Sequence, residues 1–165
     1  LDPIDGDTVL GTEFRITIHD MEGPVPNHKS FLLEEERTLI CGKLISEDTS
    51  IPLITGNSDL LKYHASFQKI MKMRSKRFAP AFGHVIENPK EAIASTLESF
   101  NKVDLEILDA LRKGAKTPEE IVSVNYSKIT DPEEVVEIAK SVEVHLAKLA
   151  DEKSVKHLKA GWKVR

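Results

Sequence analysis

The fold is decided by Glu13-Phe14-Arg15-Ile16-Thr17-Ile18-His19 and, a loop later, Ser30-Phe31-Leu32-Leu33-Glu34-Glu35-Glu36-Arg37-Thr38-Leu39-Ile40-Cys41-Gly42. In the first run Phe14, Ile16 and Ile18 alternate with Arg15, Thr17 and His19, the period of a half-buried strand. The second predicts a hairpin, with strands at 30–34 and 37–42 turned through Glu35 and Glu36. Between them, Gly23-Pro24-Val25-Pro26-Asn27 must be a loop, because two prolines within three residues break any ladder. Downstream, Leu60, His64, Phe67 and Met71 recur on one face of a helix capped by Ser58 or Asp59. Lys62, Lys69, Lys72, Lys76 and Arg77 occupy the opposite face, and a short apolar run, 78–82, predicts a buried strand or a strand-to-loop passage.

From residue 88 the pattern turns helical. Asn88-Pro89-Lys90-Glu91, Thr117-Pro118-Glu119-Glu120 and Asp131-Pro132-Glu133-Glu134 share one grammar. Each has a capping side chain, a proline at the first helical position and a glutamate two residues after it. The middle one reads as a capping box. Lys113-Gly114 ends the first of these helical runs, which buries Val103, Ile107, Leu108 and Leu111. The last helix is expected to bury Val135, Ile138, Val142, Leu146 and Leu149. Residues 153–165, with Val155, Leu158, Trp162 and Val164, suit a short β-hairpin. Helix, short helix, longer helix and hairpin predict a winged helix-turn-helix over 96–165, after an α/β piece over 1–95.

Bulk chemistry narrows the function classes. With 165 residues, 30% of them charged, and only 8 Gly and 8 Pro, the chain is neither disordered nor collagenous. No apolar stretch approaches a membrane span and no signal peptide opens the chain, so a cytoplasmic protein without membrane contact is expected. One cysteine, Cys41, excludes an internal disulfide and a thiolate zinc framework, and its apolar flanks predict a packed thiol rather than a nucleophile. A net charge of −4 gives no general attraction to phosphate. Starting at Leu1 rather than Met fits a fragment or a processed product.

Three stretches carry a resemblance: Glu22-Gly23-Pro24-Val25-Pro26-Asn27-His28, Leu32-Leu33-Glu34-Glu35-Glu36 and Leu39-Ile40-Cys41-Gly42-Lys43. Pro80-Ala81-Phe82-Gly83-His84-Val85-Ile86 adds a fourth, and Ala139, His145, Leu146, Lys148 and Leu149 a fifth. Together they resemble the second half of the metallo-β-lactamase fold, in the hydrolases of that family with an appended C-terminal winged helix. The implied fold class is α/β (α+β), the back half of an αββα sandwich followed by the winged helix. Such enzymes hold one or two divalent metals, usually zinc, and attack with bound hydroxide. The resemblance implies that this half should supply a His, a bridging Asp and a final His. Those positions fall on Pro24 (or Gly23), Lys43 and Phe82, and the family's His-x-His-x-Asp-His motif occurs nowhere in the chain. No metal ligand and no catalytic residue is therefore assigned, and no cofactor is expected.

The resulting expectation is a protein without metal-dependent hydrolysis in this chain, acting as an interaction or regulatory module. An alternative keeps a hydrolase of thioester, phosphodiester or RNA substrates, with zinc held by a front half. His28, Lys43 and His84 are the candidates for an anion- or substrate-binding cleft: Lys43 either binds an anion or fills the vacancy with a salt bridge, and His84 is a potential substitute ligand. His19 and Glu22 are the remaining scattered donors for a new site. A further alternative is nucleic-acid binding through the wing. Lys153, Lys156, Lys159, Lys163 and Arg165 have no acid among them, whereas residues 133–152 set six acids against Lys140 and Lys148. A sheet lacking its second layer predicts a homodimer or association with a missing N-terminal half.

Overall fold

The computed structural model describes residues 2–46 and 54–165, which form two compact units. The first comprises 2–46 with 61–99, the second 54–60 with 100–165.

The first unit is built on a five-stranded sheet in sequential order: β1 (Thr8–Leu10), β2 (Arg15–Asp20), β3 (Lys29–Leu33), β4 (Thr38–Gly42) and β5 (Arg77–Pro80). β1 to β4 are antiparallel neighbours; β5 runs parallel to β4 after the crossover through α1 (Leu60–Met73). The expected hairpin is there, with Phe31 opposite Ile40 and Leu33 opposite Thr38. Strand β1 is an addition to the expected elements, and Phe14 belongs to the turn that joins it to β2. The Gly11 amide donates to the Phe14 carbonyl at 2.8 Å and the Phe14 ring folds over Gly11, leaving Phe14 45% exposed.

One face of the sheet carries Leu32, Leu39, Cys41 and Phe78, all buried. On the other, the register lines up Val9 with Ile16, Ile18 with Phe31, and Phe31 with Ile40. Val9, Phe31 and Ile40 on that second face are exposed.

Helix α1 corrects the expected stripe. Leu60, Tyr63, Phe67 and Ile70 are buried, while Met71 is exposed and His64 only half-buried. The Tyr63 and Phe67 rings lie 5.6 Å apart, and the Tyr63 ring occupies the space that a side chain at Gly23 would need. The apolar run at 78–82 takes the second of its two expected forms, a strand-to-loop passage: Phe78 is fully buried in β5, the strand ends at Pro80 and Phe82 is 61% exposed.

In the second unit, α2 (Pro89–Arg112), of which 100–112 belong here, leads to α3 (Pro118–Asn125), α4 (Pro132–Asp151) and the hairpin β6 (Val155–Leu158) and β7 (Gly161–Val164). All three helices start at their predicted prolines. Thr117 accepts the Glu120 amide at 3.3 Å, but the Glu120 carboxylate reaches one residue further back than a capping box predicts, to the Lys116 amide at 2.7 Å. Asp131 accepts from the Glu133 amide at 3.0 Å. Helix α2 stops in a Schellman arrangement, with the Ala115 amide on the Ala110 carbonyl and Gly114 at φ +109°. The core unites Ile107, Leu111, Ile121, Val142, Leu146, Leu149 and Val155; Val135 and Ile138 are only partly buried against it. Gly161, at φ +110°, is required twice over: a Cβ there would sit 2.6 Å from the Lys116 carbonyl oxygen, which accepts the Trp162 amide.

Candidate functional site

Topology brings three loops to one end of the sheet. β4 and β5 are parallel, so the segments after Gly42 and after Pro80 leave at the same end; β3 is antiparallel to β4, so the loop entering it, 21–28, arrives there too. The three positions where the resemblance expects metal ligands, Pro24, Lys43 and Phe82, are one to each loop.

His28 ties two of these loops together. Its Nδ1 lies 3.0 Å from the Met21 carbonyl, and its Nε2 lies 3.2 Å from the Lys43 backbone nitrogen. An amide can only donate and a carbonyl can only accept, so the ring is neutral, with the proton on Nδ1. Burial, with a smaller contribution from the Lys43 charge, pulls the imidazole below its ordinary pKa, against the Met21 carbonyl. The ring approaches so closely that a Cβ on Gly42, at φ +59°, would fall 2.8 Å from Nε2. The third loop joins through the Ala81 amide, which donates to the Gly42 carbonyl at 2.8 Å.

The 21–28 loop is itself clamped. Ser66 donates to the Glu22 carbonyl at 2.6 Å, and the Glu22 carboxylate takes the Asn27 amide at 3.0 Å and the Lys62 ammonium at 2.6 Å. Lys62 and Lys69 of the expected basic face are therefore engaged, the second with Asp5. His19 joins that group, 3.6 Å from Asp5.

Each candidate thus has a place. His28 has both nitrogens committed to backbone, so it is neither a free base nor a free ligand. Lys43 is exposed, held by its amide to His28 and by its carbonyl to the Tyr63 hydroxyl at 3.5 Å. His84 is exposed on the loop after β5. Among the described residues no three His, Cys, Asp or Glu side chains gather as a metal site. The donor set at this sheet end, a proline, a lysine and a phenylalanine around a fully engaged imidazole, does not fit a dication. Cys41 is buried beside the Ala79 carbonyl, and burial pushes its thiol up to about 12, which removes it as a nucleophile.

The second unit contains a group that sequence reasoning missed. Asp104 takes His145 Nδ1 on one oxygen at 2.7 Å and the Lys148 ammonium on the other at 2.6 Å. All three residues are buried, and Lys148 extends to Glu152 at 3.2 Å. Burial pushes the Asp104 carboxyl up, but the hydrogen bonds from His145 and Lys148 outweigh it and hold it below its usual value. Burial likewise draws Lys148 down, and Asp104 and then Glu152 more than restore it. The available signal is the pair His145 and Lys148 one turn apart on an otherwise apolar face. The five hairpin cations, Lys153, Lys156, Lys159, Lys163 and Arg165, are all exposed.

No family model matches the sequence. A Caenorhabditis elegans protein described as a beta-lactamase-like protein 2 homolog is 32% identical over 106 residues, which is 64% of this chain and 33% of that protein. A metallo-beta-lactamase family protein of Thermus thermophilus superposes with a TM-score of 0.79 at 21% identity, covering 100% of this chain and 54% of its own. A beta-lactamase domain protein of Burkholderia ambifaria gives 0.80 at 16% identity, covering 99% and 52%. An archaeal metallo-beta-lactamase superfamily protein of Sulfolobus tokodaii gives 0.54 at 16%, covering 92% and 52%. The chain spans about half the length of these solved structures and a third of the curated relative. Among the described residues no helix is long and apolar enough to cross a membrane. The fold is the metallo-β-lactamase fold, represented here over about half its extent.

Proposed function

We propose that this chain is part of a metallo-β-lactamase superfamily protein whose sheet-end loops, in this half, hold no catalytic dication and serve as an interaction or regulatory module, with a winged helix-turn-helix as its second unit. The observation that carries the reading is Lys43. Where the resemblance expects a bridging carboxylate, the chain places an ammonium, and its repulsion of a dication at 4 Å amounts to roughly 8 kcal/mol at an effective dielectric of 20. Pro24 and Phe82 offer no donor, and His28 could bind metal only by releasing the Lys43 amide. The exposed sheet face of Val9, Phe31 and Ile40 supports association with a second copy or with a preceding half of a longer chain.

The test is metal content after purification without chelator, read by mass spectrometry, together with sedimentation. Less than about a tenth of an equivalent of zinc, iron or manganese is expected; one equivalent retained through gel filtration overturns the reading. A second reading, a zinc hydrolase whose front half supplies the ligands, is favoured by the half-length coverage alone. It requires stoichiometric metal in the longer product that vanishes from this chain.

A further inference from the structure

The hairpin that closes the second unit sorts its side chains by face. Val155 and Val164 pair on the inner face, and next to them His157 and Trp162 pair with ring centroids 4.8 Å apart. On the outer face Lys156 stands directly opposite Lys163. Like charges directly opposite each other weaken a two-stranded ribbon, and no carboxylate among the described residues relieves this pair. Among the described residues none of the five hairpin cations is in an ion pair. They form three rungs. Lys153 and Arg165 lie at the base, where the Arg165 amide donates to the Ser154 carbonyl; Lys156 and Lys163 lie midway, and Lys159 lies in the turn. Lys153 and Lys159 lie three residues to either side of Lys156, outside β6, so the outer face itself carries Lys156 and Lys163 and the other three cations flank it.

The acids of α4 offset this ladder only at its base, where the exposed Asp151 stands two residues before Lys153. Glu133, Glu134 and Glu137 lie in its first two turns, roughly 20 Å along the axis from the end that delivers the chain into the hairpin, about two Debye lengths at 0.1 M salt, and Glu143 lies about 12 Å from that end, beyond one Debye length. Glu152, at the near end, is taken by Lys148. A repeating array of cations on a narrow exposed ribbon matches a repeating array of anions. One exposed aliphatic, Leu158, is too little for a lipid anchor.

We propose that this hairpin, through the cations of its outer face and those flanking it, binds the phosphate backbone of a nucleic acid, without base readout. The recognising groups are Lys153, Lys156, Lys159, Lys163 and Arg165. This stands independently of the metal reading, since no residue of the sheet-end loops takes part.

Fluorescence anisotropy of the full chain with a labelled single-stranded RNA and a labelled DNA duplex tests it. With five phosphates engaged on duplex, affinity falls on the order of 500-fold between 50 and 200 mM salt. Lys156→Gln with Lys163→Gln lowers that loss to about 40-fold, and the double reversal to Glu abolishes binding at 50 mM. Lys102→Glu with Lys128→Glu, the same charge change on exposed helix and loop positions of the same unit, leaves affinity within about threefold. Trp162 emission checks that each variant keeps its hairpin. No binding at 50 mM, equal loss in the Lys102/Lys128 control, or tighter binding to anionic phospholipid vesicles than to either nucleic acid overturns the proposal.

Discussion

Replacing Asp104 by Ala strands two buried groups at once. Lys148 keeps only Glu152, whose side chain is 43% exposed, and His145 Nδ1 loses its acceptor while its Nε2 already lacks a hydrogen-bond partner among the described residues. Removing one partner of a buried pair costs about 3–5 kcal/mol. A unit of about 70 residues has roughly 4–10 kcal/mol in total, so Asp104→Ala removes about half of it and lowers the melting temperature by about 12 °C or more. Asp104→Leu with Lys148→Met removes both charges and newly strands only His145 Nδ1, a residual cost of about 1–3 kcal/mol. Urea unfolding followed by Trp162 emission reads both variants. A loss under about 0.5 kcal/mol for Asp104→Ala, or a double variant no more stable than the single one, would refute the argument that this charge pair is held by its burial.

The same group sets a pH window. Asp104 is held below 3.8 and Lys148 above 10.5, so their contribution is complete between these values. It fades as pH falls through the folded Asp104 value or rises through the folded Lys148 value, which thermal melts across pH will show as two shoulders. In the first unit His28 is held below 6.5, so its share of stability is full above pH 6.5 and is lost as pH falls through the folded value; His28→Phe should cost about 2–4 kcal/mol at pH 8 by orphaning the Met21 carbonyl and the Lys43 amide, measured by denaturant titration. Gly161→Ala forces a non-glycine into φ +110° against the Lys116 carbonyl, and should cost about 2 kcal/mol or more and expose Trp162 to quenchers.

What the sequence made legible followed from local rules. Proline at the first turn placed three helix starts, strict alternation placed β2, and short apolar runs separated by a polar turn placed the hairpin and the terminal ribbon. Strand β1 is hidden because three exposed residues, Thr8, Val9 and Leu10, carry no face of their own. The α1 stripe misleads because Leu60 and Phe67 fit two stripes, one through His64 and Met71, the other through Tyr63 and Ile70. The close packing of Tyr63 on Gly23 selects the second, and that is a contact about forty residues apart in sequence. At the candidate site, the resemblance named three loop positions, but their meeting at one sheet end depends on the strand directions, and His28 as a brace depends on Gly42 having no side chain. Asp104, His145 and Lys148 are unreadable as a group, since 41 and 44 residues separate the carboxylate from its partners, and Lys148 reads in sequence as one more surface charge.

The lone cysteine and the lone tryptophan fall on opposite sides of the division between the units. Cys41, sealed in the first sheet with its thiol protonated at neutral pH, reacts with an alkylating reagent only when that sheet opens, so its labelling rate is a clock for the first unit. Trp162 is a lamp for the second. Read together in one unmodified sample, they tell whether the two halves of this chain melt as a single cooperative body or one after the other.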